Sequence, residues 1–98
     1  MPAYIVVETD IHDPEQYELY KQAAPAAVAA AGGRFIARGG ELAVFEGDWH
    51  PKRLVLLEFP DLAAAKRFYE SPEYQEAKRL REGAAGFNMV AVEGNASE

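Results

Sequence analysis

The chain has 98 residues, 49% of them hydrophobic, which is enough for one core and too few for two. Its 10 Lys and Arg are outnumbered by 16 Asp and Glu, and the cations do not cluster, so a charge of -6 argues against nucleic acid as a partner. Without cysteine there is no disulfide framework and no thiolate nucleophile or metal site; with no apolar run of membrane-spanning length and no basic leader, the expected setting is the cytoplasm, away from a membrane.

In chain order, Ala3 to Asp10 is rich in β-branched and aromatic residues and reads as a strand. Asp13-Pro14-Glu15-Gln16 supplies a cap, a proline at the first helical position and a glutamine three residues after the cap. The helix it opens carries Tyr17, Tyr20, Ala24, Val28 and Ala31 at spacings of three and four, with a kink expected at Pro25 and an end at Gly32-Gly33. Arg34 to Arg38 and Leu42 to Glu46 read as two halves of a second strand, broken at Gly39-Gly40. Lys52 to Phe59 reads as a third strand, paired with the second as a hairpin. Asp61 caps a further helix, and Ser71-Pro72 restarts it as a second piece running to about Glu82. In that piece Tyr74, Ala77 and Arg81 share a face, and Glu76 and Arg79 form an exposed pair. Phe87 to Glu93 is a fourth strand; residues 1–94 then form one domain, followed by a polar tail at 95–98. The order strand, helix, strand, strand, helix, strand predicts an α+β ferredoxin-like sandwich, a four-stranded antiparallel sheet with its helices on one face.

Such a sheet with one wet face alternates apolar and polar residues. Here Tyr4-Ile5-Val6-Val7, Leu54-Val55-Leu56-Leu57 and Met89-Val90-Ala91-Val92 are apolar on both faces. The face left by the helices needs cover, and a homodimer joined through its sheet faces supplies it.

Charges set into apolar strands need a partner or a purpose, which singles out Glu8, Arg38, Arg53 and Glu58. One reading pairs Glu46 with Arg53 across the hairpin and leaves Glu8 and Glu58 at wet sheet ends. The other sets Arg38 in a cavity as an anion anchor and Glu58 there as a proton acceptor. Tyr20 and Tyr74, on inner helix faces, either pack with satisfied hydroxyls or donate into a pocket. His12 is expected to be solvated, whereas His50, in a loop beside Trp49, is a candidate for proton transfer. The two histidines are too far apart for a metal site, haem is unsupported, no glycine pair opens a helix as a phosphate-binding loop does, and Ser71 is a cap, not a nucleophile.

The run Gly32-Gly33-Arg34-Phe35-Ile36-Ala37-Arg38-Gly39-Gly40, then Glu46-Gly47, Arg53 through Glu58-Phe59-Pro60, Tyr69-Glu70-Ser71-Pro72-Glu73-Tyr74 and Val92-Glu93-Gly94 resembles the domain of unknown function 1330 family. That family belongs to the dimeric α+β barrel superfamily, which also holds cofactor-free monooxygenases, muconolactone isomerases, haem-dependent chlorite dismutases and stress-responsive proteins. The resemblance implies a ferredoxin-like subunit and a dimer, but no particular reaction. Tyr69 stands where the family usually has tryptophan. Carried over by residue, the resemblance points to Arg38, Gly39, Gly40, Glu46, Arg53, Glu58, Tyr74 and Arg79. The working set is therefore Tyr20, His50 and Glu58 for catalysis and Arg38, Tyr74 and Arg79 for substrate binding, with no cofactor or metal. Three functions compete: an enzyme acting on a small organic molecule, a non-catalytic metabolite-binding or stress-response dimer, and a structural dimer with a filled core.

Overall fold

Strand β1 (Ala3–Ile11) is central, and in it Ala3, Ile5, Val7 and Thr9 are buried while Tyr4, Val6 and Glu8 between them are half-buried. The computed structural model describes residues 1–95, so residues 96–98 of the expected tail lie outside the described residues. Helix α1 (Pro14–Ala30) starts as its sequence dictates, with the Asp13 carboxylate accepting from the Gln16 amide at 3.2 Å. It continues through Pro25 without ending there.

β2 is Arg34–Arg38 and β3 is Leu54–Phe59. With β4 at Ala85–Glu93, the sheet order is β2-β3-β1-β4 with every neighbour antiparallel, the ferredoxin-like arrangement. The break expected at Gly39-Gly40 falls earlier as a bulge, since Phe35 faces Leu57 and Ala37 faces Leu56, leaving Ile36 as the extra residue.

Leu42 to Glu46 is not a strand. β2 already occupies β3 from Val55 to Glu58, so this segment has no lateral neighbour despite its strand-forming composition. Residues 39–53 instead form an exposed arm, with Phe45 95% exposed. Gly39, at φ 73°, turns the chain out of β2, and a side chain there would meet Arg53 Nε at 2.8 Å.

Helices α2 (Leu62–Glu70) and α3 (Pro72–Leu80) are the two expected pieces. Ser71 separates them: its Oγ donates to the Phe68 carbonyl at 2.8 Å and accepts from the Tyr74 amide at 3.1 Å. Each side-chain cap contributes about 1 kcal/mol. β4 (Ala85–Glu93) pairs along the whole of β1. One core fills the space between helices and sheet, from Ile5, Val7, Leu57 and Phe59 on the strands to Tyr20, Phe68 and Tyr74 on the helices. Gly33 is required by that packing, because a Cβ there would lie 2.4 Å from the Phe59 ring.

Candidate functional site

Helical spacing and the Ser71 cap turn Tyr20 from α1 and Tyr74 from α3 toward each other. Their hydroxyls hydrogen-bond at 2.9 Å inside the core, with the rings edge to face. Arg81, at the end of α3, extends this pair: its Nη2 donates to the Tyr74 hydroxyl at 3.3 Å, and its guanidinium lies 3.6 Å from the centroid of Phe87 on β4. Burial, with the neighbouring Tyr74 oxygen, pushes the Tyr20 phenol far above its ordinary value of 10.0, so Tyr20 stays a neutral hydrogen-bonding group. Burial also raises Tyr17, against the pull of Arg53, whose Nη1 donates to the Tyr17 hydroxyl at 3.2 Å.

A recess of about 470 Å³ opens beside this cluster, between α2, α3 and the outer strand β4. Ile5, Ala65, Phe87, Met89, Val90 and Ala91 give it an apolar body, and Lys66, Tyr69, Lys78 and Arg81 supply its polar groups. This size and balance suit a small organic molecule. Tyr69 carries the phenol on the wall, and its oxygen accepts from Lys78 Nζ at 2.7 Å.

The working set is thus divided. Tyr20 and Tyr74 come together, but both are buried. Arg38 is committed to the frame: Pro25 has no amide hydrogen to give the Lys21 carbonyl, and Arg38 Nη2 donates to that carbonyl at 3.0 Å while stacking on Phe35 at 4.3 Å. The interior space shared by Arg38, Tyr20, Thr9 and Arg53 measures about 30 Å³, room for a water or two and not for an organic ligand.

Glu58 lies at one end of the sheet, opposite Tyr4, and accepts from Arg34 Nε at 2.8 Å. His50 lines a separate recess of about 360 Å³ near Glu8, Asp10 and Lys52, toward the other end. Arg79 is exposed and paired with Glu76 one turn back, as its spacing foretold. Arg53, expected to pair with Glu46, bonds Tyr17 instead, because Glu46 belongs to the exposed arm. Arg81, Tyr69, Lys78 and Lys66 were outside the working set. The signal for Arg81 was a charge on the inner helix face defined by Tyr74 and Ala77. Among the described residues, no three His, Asp or Glu side chains gather as a metal site would require, and no helix is long and apolar enough to cross a membrane.

A family model described as a domain of unknown function, DUF1330, matches residues 2–95. The chain belongs to the DUF1330 family. No curated protein matches the sequence of this DUF1330 chain. Its fold is similar to that of a protein of unknown function from Rhodopseudomonas palustris, at 20% identity and a TM-score of 0.74 over 98% of this chain and 84% of that one. It is also similar to SnoaB, a cofactor-independent oxygenase from Streptomyces nogalater, at 13% identity and a TM-score of 0.64 over 98% and 95% of the two chains. A dimeric protein of unknown function with a ferredoxin-like fold from Bacteroides fragilis matches at 16% identity and a TM-score of 0.56, over 95% and 96%. At these identities the DUF1330 chain shares a fold with them.

Proposed function

We propose that this protein binds a small organic molecule in the recess between α2, α3 and β4 and promotes proton transfer on it with its own side chains. The observation that carries this reading is the Tyr69 phenol on the recess wall, whose oxygen accepts from Lys78 and whose hydrogen is left to donate. A carbonyl on the apolar floor would receive that hydrogen bond, and the adjacent carbon would lose a proton to solvent as negative charge gathers on the oxygen. Tyr74, bonded to Tyr20, packs behind Tyr69, and Arg81 lines the recess beside it. The likeness to a cofactor-independent oxygenase supports a reaction run without a bound cofactor.

Hydrogen–deuterium exchange at the methylene of phenylacetone in heavy water, followed by NMR, tests the reading. The protein should accelerate exchange, and Tyr69→Phe should remove most of that acceleration, on the order of a hundredfold. Exchange no faster than in buffer would sink the catalytic reading. Binding without exchange would favour the second reading, a non-catalytic metabolite-binding dimer.

A second copy belongs to this reading. The sheet face away from the helices exposes Val90 at 63%, Val92 at 54% and Ile36 at 41%, beside half-buried Val6, Leu54 and Leu56. The arm adds Phe45 and Trp49, and Trp49 Nε1 donates to Glu8 Oε2 of this same face at 3.2 Å. A two-fold dimer with facing sheets buries both features together.

A further inference from the structure

The recess floored by β4 holds three cations, Lys66, Lys78 and Arg81, and among the described residues no acidic one lines it. In a chain with 16 acidic and 10 basic side chains, that separation is the reverse of what its composition would scatter there. Arg81 makes the imbalance acute. It is only 9% exposed, its Nε is buried without a hydrogen-bond partner, and its one side-chain hydrogen bond among the described residues goes to the neutral phenol of Tyr74. Rings cover its faces, with Phe87 at 3.6 Å and Tyr20 at 5.5 Å. A cation withdrawn from water costs stability unless a counter-charge meets it, and the described residues provide none at this position.

Resting on the recess as the binding site, we infer that its ligand carries a carboxylate, seated against Arg81 and flanked by Lys66 and Lys78, with an apolar body on Phe87 and Met89. A carboxylate suits the planar guanidinium, which donates two parallel bonds to a pair of oxygens. The aromatic covering favours Arg over a freely hydrated lysine in the same role. Ligand binding then supplies the counter-charge that folding omitted. Its hydrogen bond to Tyr74 fixes the guanidinium within the fold, which lowers the ordering cost of binding.

Calorimetric titration of the whole chain with phenylacetate and with its uncharged isostere phenylacetamide tests this inference. Phenylacetate should bind at least about tenfold more tightly, the worth of a hydrogen bond to a charged group. The NMR signal of the Arg81 Nε–H should move with the acid and not with the amide, a measurement that needs no variant. In a folded Arg81→Met protein most of the preference for the acid should be lost, leaving only what the flanking Lys66 and Lys78 contribute. Equal binding of acid and amide to the unaltered chain overturns the carboxylate inference and leaves the recess reading standing. Failure of both to bind overturns the recess reading and the inference with it. An undiminished acid preference in folded Arg81→Met, or an Arg81 signal that ignores the acid, removes Arg81 from the role.

Discussion

Tyr20 shows how the surroundings of one side chain set a property of the whole protein. Its phenol is held above its ordinary value of 10.0 by burial, as is that of Tyr17. For a group whose folded value is raised, the stabilisation is intact below the unfolded value and is lost as pH climbs past it. Stability should therefore be insensitive to these groups below about pH 10 and fall above it, by up to about 1.4 kcal/mol per pH unit for each tyrosine still protonated in the fold. Urea unfolding between about pH 9 and 11 would measure this, and Tyr20→Phe should flatten the decline; an unchanged slope would refute the assignment. At this scale the sequence was half legible. The spacing of Tyr17, Tyr20, Tyr74 and Ala77 is enough to turn the phenols inward. Helical spacing also separated Arg79, paired with Glu76 in solvent, from Arg81 on the face of Tyr74 and Ala77; what spacing did not show is that this inner face borders a recess.

Among the elements, α1 and β2 are joined by a device that neither shows alone. Pro25 removes the donor for the Lys21 carbonyl, and Arg38 replaces it from the edge strand. Arg38→Ala should cost about 1–2 kcal/mol in the unaltered chain. In a Pro25→Ala background, where the residue 25 amide can bond Lys21, the same substitution should cost about 1 kcal/mol less. Denaturant melts of the four proteins of this cycle would measure the coupling, and strict additivity would argue against it. The elements themselves were legible wherever local chemistry fixes them: Asp13-Pro14, Asp61 and Ser71-Pro72 all cap as read. Leu42 to Glu46 was misread for the complementary reason. Strand propensity is a property of the segment, but a strand also needs a neighbour, and this chain offers none.

For the molecule as a whole, the doubly apolar strands predicted a second sheet face that needs a partner to cover it, and in the single chain that face presents Val90 and Val92 uncovered. Light scattering at micromolar concentration should give twice the chain mass, and the double variant Phe45→Glu, Val90→Glu should give a monomer of unchanged helical content. A monomer from the unaltered chain would sink the assembly. Two arginines bear on how such an arm can work. Arg38 and Arg53 stand at its two ends, and they bond Lys21 and Tyr17, one turn apart on the same helix. The arm thus leaves the body through a socket riveted at both rims. The two bonds tie both ends of the arm to one helix, so the anchorage of the arm and the packing of α1 are set together.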